Sequence, residues 1–233
     1  MTAREMQIEF ERRLTLMNPE LANSEKPDSD TIFSFLYAYT LRFVLQNYLA
    51  EDANTDDTRQ QKYNKDVIYP LLTKENINVS ENSSDNEDNH YVGNMPNDYL
   101  TYVRSSCTAT VSYRNNATVV VPCVLVAEED LSRVLTTAWD KKILPNAYIS
   151  INKAENQSDS KFTVICDSYT KPKTVTLTYY RMPKKFNVIT GTGVSNECEL
   201  PESTHMAIVE GAVEMFITEN KYRLSSNSKQ NKE

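Results

Sequence analysis

The sequence predicts an α+β protein: a helical bundle of N-terminal helices plus a C-terminal helix, with an inserted β-rich subdomain. Three observations carry this. Apolar residues recur at helical spacing through the first fifty residues. From Tyr99 the pattern changes to short β-branched and aromatic runs separated by turn residues. A long helical pattern then returns near the C-terminus, and its apolar face needs a partner that the first helices offer.

In the N-terminal segment, residues 1–74, Met6, Phe10, Leu14 and Met17 share one helical face, and Asn18-Pro19 ends it. Asp28 or Ser29 then caps a second helix, TIFSFLYAYTLRFVLQNYLA. At about 1.5 Å per residue it spans roughly 30 Å. It is apolar on nearly all sides, so it is expected to be buried on more than one side, inside a bundle or against another subunit. Arg42, Gln46, Asn47 and the tyrosine hydroxyls within it argue against a membrane span. A polar third helix is expected from Thr55 to Ile68, with Tyr63, Val67 and Ile68 as a thin inward face.

Residues 75–98 are acidic, rich in Asn and Ser and poor in apolar residues, and are expected to form a long flexible loop. It is either a solvated linker or a segment that orders on a partner. The β-rich insertion follows over residues 99–185. YLTYVRSSCTATVSY and ATVVVPCVLV are strands joined at Arg114-Asn115-Asn116, and a short helix is expected from Glu128 to Trp139. AYISIN, KFTVICD and TVTLTYY supply three more strands. Residues 186–224 are a crossing loop and the closing helix. Pro201 suits its first turn, and Met206, Val209, Val213 and Phe216 form one face, with Ile208, Ala212 and Ile217 beside it. Glu202 at its start and Lys221 and Arg223 near its end complement the helix dipole. A disordered tail is expected at 225–233.

The chemistry is sparse. A net charge of −7 argues against a surface built to grip nucleic-acid phosphates. The opening MTAREMQIEFERR reads as an amphipathic helix and not a leader, so the sequons at Asn78, Asn82, Asn116 and Asn156 are expected to carry nothing. The four cysteines include no C-x-x-C pair, and with only His90 and His205 beside them no zinc pattern emerges. Cys107, Cys123 and Cys166 read as small buried apolar residues. The glycines of TLTYYRMPKKFNVITGTG lack a following Gly-Lys-Ser/Thr, and Asn196 breaks G-x-G-x-x-G. The stretch reads as a last strand, a proline exit and a crossing loop. Cys198 and His205 could form a nucleophile pair, but no orienting partner is visible. No catalytic, metal or cofactor residue is assigned, and an enzyme is not expected.

Three segments together carry a resemblance: Ser29 to Tyr48 (SDTIFSFLYAYTLRFVLQNY), Leu177 to Pro183 (LTYYRMP) and Glu199 to Val213 (ELPESTHMAIVEGAV). The chain resembles the head-to-tail connector proteins of tailed bacteriophages, the adaptor or ring proteins beneath the portal, most of all those of crAss-like phages. The resemblance implies a structural virion protein at the head-tail junction, made in the cytoplasm of the bacterial host. It implies a ring, commonly twelve-fold, that docks on the portal and extends the DNA channel. The partners implied are other copies of the chain, the portal protein, the next tail or ring protein, and DNA passing without sequence-specific binding; no membrane and no cofactor is implied. A ring interface is heterologous, so opposite faces of a subunit must be complementary. The expected interface residues are Tyr37, Tyr39, Phe43, Tyr48, Lys184, Lys185, Tyr222, Arg223 and Leu224. Alternatives are a tail-hub or tail-completion component, a hydrolase using Cys198 or His205, and a ligand-binding β module, for glycans for example, with Tyr148, Tyr169 and Tyr179 as candidate exposed aromatics.

Overall fold

The protein is described from a computed structural model, over residues 1–24, 26–49, 65–81, 89–127, 129–130, 146–152, 160–187 and 196–230. It is a mixed α and β chain with an eight-stranded sheet. It divides into two compact units, Met1–Leu71 with Met182–Glu233, and Leu72–Arg181.

In the first unit, helix α1 (Ala3–Met17) opens with a capping box in which Thr2 and Glu5 satisfy each other's backbone N–H. Met6, Phe10 and Leu14 are buried, whereas Met17, expected on the same face, is 50% exposed at the last helical position. The Asn18 side chain then accepts from Leu21 N at 3.1 Å and starts a short helix α2 (Pro19–Ser24), with Pro19 in its first turn. Asp28 starts helix α3 (Ser29–Leu49) by accepting from Thr31 N at 2.9 Å.

Within the chain, burial on α3 is confined to one side, which corrects the expectation of a helix enclosed inside the bundle and leaves the other alternative, a face against another subunit. Ile32, Leu36, Thr40 and Val44 form one buried stripe at four-residue spacing, with Phe33 beside them. Tyr37, Tyr39, Phe43 and Tyr48 are only half-buried; tyrosines with apolar rings and wet tips suit such a flank. The closing helix, α4 (Glu202–Gln230), packs on α1 and α3. Its Phe216 ring meets Phe10 and Phe35 edge-on, at 5.9 and 5.2 Å between centroids. Ile208, Val209, Ala212, Val213 and Ile217 are buried as expected, but Met206 is 38% exposed. The helix runs to Gln230, which corrects the expected disordered tail over 225–230: an established helix adds one backbone hydrogen bond per residue fixed, and this offsets the weak propensity of Ser225, Ser226, Asn227 and Ser228. Residues 231–233 lie outside the described residues. So does most of the expected third helix, of which 65–68 are helical and lead into a 3₁₀ turn, Tyr69–Leu71.

The second unit holds β1 (Leu72–Asn78), β2 (Ser80–Glu81), β3 (His90–Asn94), β4 (Tyr99–Val111), β5 (Ala117–Leu125), β6 (Ala147–Asn152), β7 (Lys161–Ile165) and β8 (Thr170–Arg181). They order as β1-β8-β4-β5-β6-β7-β3-β2 in one sheet. β5 and β6 pair in parallel and the other neighbours antiparallel. Asn115 and Asn116 both take positive φ, 54° and 58°, in the turn between β4 and β5, a conformation asparagine tolerates. The core gathers Cys107, Ala109, Ile149, Phe162, Val164, Val175, Leu177 and Tyr179.

The flexible loop expected at 75–98 is corrected: β1, β2 and β3 lie within it or start just before it. β1 is the end strand of the sheet, paired only along β8, and most of its residues face solvent, so its composition is polar. β3 is five residues long, too short for its buried His90 and Tyr91 to stand out as a period. Residues 82–88 lie outside the described residues, as do 131–139 of the expected helix after β5, of which 129–130 are helical.

Candidate functional site

The expected interface residues on α3 belong to a flank held from two directions. The segment after β8 brings Lys185 Nζ over the Tyr37 ring, 5.9 Å from its centroid, a cation–π contact. Burial pushes the Tyr37 hydroxyl above its ordinary pKa. Asn196 fixes this segment by donating to Lys185 O at 2.6 Å and accepting from Asn187 N at 2.8 Å. Lys184 is paired within the chain: its ammonium lies 3.3 Å from Glu199, and its backbone N–H donates to the same carboxylate at 2.8 Å. Its head stays largely in water, so the ion pair itself contributes little.

Further along α3, Tyr39 lies across Gly211 of α4, where a Cβ would overlap its ring. This close approach leaves a groove of about 460 Å³ between the helices. Tyr39, Arg42 and Gln46 line one side, and Glu214, Met215 and Glu219 line the other. It joins an aromatic ring to charges of both signs. A second groove, of about 330 Å³, is mainly apolar and holds Leu16, Met17 and Met206, with Arg13 bonded to Glu9 and to Glu210. Tyr222, Arg223 and Leu224 sit on α4, but their side chains lie outside the described residues.

His205 and Cys198 also belong to this unit. His205 is buried; its Nδ1 is 2.9 Å from the Met1 amine and its Nε2 donates to Leu200 O at 2.7 Å. Both ring nitrogens are thereby engaged. Burial raises the Cys198 thiol, which disfavours a thiolate. The glycines of GTG, residues 191–193, lie outside the described residues.

The β unit separates the three candidate tyrosines. Tyr179 is buried; its hydroxyl donates to Asp98 at 2.8 Å, with Glu75 at 3.2 Å. Burial first, then the Asp98 bond and the two carboxylate charges, hold its pKa above the ordinary tyrosine range. Tyr148 is half-buried on β6. Tyr169 is exposed and meets exposed Tyr113 edge-on at 6.2 Å, while the Arg114 guanidinium lies 5.7 Å from the Tyr113 ring centroid. Ser112 holds the two turns together through its N–H and hydroxyl, both donating to Tyr169 O. Sequence reasoning missed Tyr113 and Arg114 because only strand pairing brings the two turns side by side.

Cys107, Cys123 and Cys166 come from separate parts of the sheet and meet in its core. The three thiols are coupled: the other two hold the Cys107 thiol below its ordinary pKa, while Cys107 first and then burial raise Cys123 and Cys166. Among the described residues no group of three or more His, Cys, Asp or Glu side chains could hold a metal ion, and no helix is long and apolar enough to cross a membrane. No protein-family model matches the chain, and no curated protein matches it significantly.

Proposed function

We propose that this chain is a structural virion protein, a head-to-tail connector that forms a ring under the portal and extends the DNA channel. The observation that carries the reading is the make-up of the first unit. Helices from both ends of the chain, Met1–Leu71 and Met182–Glu233, share one core, and a strand-rich stretch intervenes in sequence. That suits the helical core with a β-rich insertion that the three motif segments imply. Those segments supply the aromatic flank of α3, the exit of β8 and the start of α4. The half-buried residues Tyr37, Tyr39 and Phe43 offer area to a neighbouring copy at low conformational cost, as aromatic side chains do at interfaces. A net charge of −7 suits a channel wall, since like charge keeps DNA from adhering.

Electron micrographs of the chain mixed with its portal protein test the reading. Rotationally symmetric particles with an open centre are expected on the portal face. Bare portals beside dispersed small particles would overturn it.

A second reading, a ligand-binding β module, draws on the exposed Tyr113–Tyr169 pair with Arg114. Stacking rings beside a guanidinium suit a planar or anionic group. Quenching of tyrosine fluorescence by a glycan panel, lost in Tyr169→Ala, is its signature.

A further inference from the structure

The sheet carries a stretch of strand edge that is treated differently from its two ends. At one end β1 carries Lys74 and Glu75; at the other β2 has only Ser80 and Glu81. Charges and short length are the usual ways of keeping an edge from pairing with another chain. β5 has neither, and its one edge-blunting residue is Pro122, near the end of the open stretch. It reads ATVVVPCVL without a charge, and it pairs with β4 along Ala117–Cys123 but with β6 only along Cys123–Leu125. Among the described residues, nothing pairs with its other side from Ala117 to Pro122. Val120 is 70% exposed, and Thr118 and Pro122 are exposed as well.

The direction of the free backbone groups follows from the pairing. Val126 N–H donates to Ile149 O of β6 at 2.9 Å, so even-numbered positions face the β6 side. The register against β4 is uninterrupted from Ser105–Cys123 to Val111–Ala117, so the alternation carries back along the strand. Thr118 and Val120 therefore present N–H and C=O to the open side, and Pro122 presents only C=O. A proline within a sheet is tolerated where its nitrogen faces no partner strand.

We propose that this edge pairs with the same edge of a second copy of the chain, antiparallel and about a two-fold axis at Val119. The proline excludes registers centred farther along the strand, and Val119 is the centre that uses both Thr118 and Val120. Centred on Val119, Thr118 of each copy lies opposite Val120 of the other, and each such pair exchanges two hydrogen bonds. Centred on Val120, Thr118 lies opposite Pro122, which has no N–H to give. The uncharged, β-branched strand adds no repulsion to self-pairing and covers the exposed Val120 side chains. The contact is isologous, so it is distinct from the head-to-tail contact of a ring and does not depend on the ring reading.

Val119 faces its own copy at a non-hydrogen-bonded position, where Cα atoms stand about 4.5 Å apart, within disulfide range. The test uses the full chain with oxidised glutathione as oxidant. Val119→Cys should form a chain-to-chain disulfide mapped to position 119, while Val124→Cys, exposed but facing β6, should not. Val120→Lys, at an exposed site the fold tolerates, should halve the native mass, and Thr118→Pro, which removes an N–H only on the open side, should do the same. Circular dichroism checks that each variant is folded. Cross-linking of Val119→Cys no faster than of Val124→Cys, or an unchanged mass in folded Val120→Lys and Thr118→Pro, overturns the proposal.

Discussion

Replacing Tyr179 by Phe removes one oxygen and leaves the ring in place against Tyr99, 5.7 Å away. The hydroxyl has one proton and two carboxylate neighbours. The 2.8 Å contact to Asp98 is the hydrogen bond, and Glu75 at 3.2 Å is a second acceptor that can take the proton in turn. The bond ties β8 to the turn before β4, and Glu75 ties it to β1. A hydrogen bond to a charged group contributes about 1.5–3 kcal/mol. For a chain of this length each kcal/mol shifts Tm by about 2–4 °C. Tyr179→Phe is thus expected to lower Tm by roughly 3–12 °C at pH 7, followed by circular dichroism. The pH dependence adds a sign. The pKa of Tyr179 is raised in the fold, so its contribution is complete below the unfolded value of about 10 and is lost as pH rises beyond it. The gap in Tm between wild type and variant should therefore narrow from pH 9 to about pH 11. A loss under about 1 °C at pH 7, or a gap that widens with alkali, would refute the charge-assisted bond.

Three further outcomes follow from packing. Phe10 is fully buried against Phe216, so Phe10→Ala should cost about 3–5 kcal/mol, read as a large drop in denaturation midpoint. Gly93 lies against the ring of Phe162, which is itself fully buried and has nowhere to swing; Gly93→Val should cost about 1–3 kcal/mol through overpacking, measured by urea unfolding. Cys107 and Cys166 are buried and Cys123 and Cys198 partly so; a thiol reagent should modify at most two of the four in the folded chain and all four in denaturant.

The elements that could be read in the sequence are those with a strong period. Met6, Phe10 and Leu14 marked α1, and Val209, Val213 and Phe216 marked α4, because a helix buries one stripe. β4 to β8 announced themselves through β-branched runs and the Asn115-Asn116 turn. What stayed hidden depends on tertiary position. β1 is polar because it ends the sheet, and Lys74 and Glu75 look like loop residues until β8 pairs with them. The flank of α3 read as being as apolar as its buried stripe because tyrosine scores as apolar along a sequence, although within the chain each ring is only half-covered. Lys184 read as a solvated or partner-facing charge, and no sequence pattern signalled that Glu199, fifteen positions on, lies 3.3 Å from its largely exposed head. The thiol cluster and the Tyr113–Tyr169 pair join residues whose spacing carries no signal.

Native mass spectrometry of the purified chain, alone and mixed with its portal protein, tests the connector reading most directly. A closed ring near twelve copies is expected on the portal, and single rings or rings paired two-fold through β5 are expected for the chain alone. A chain that stays below ring size in both samples and leaves the portal mass unchanged would contradict it.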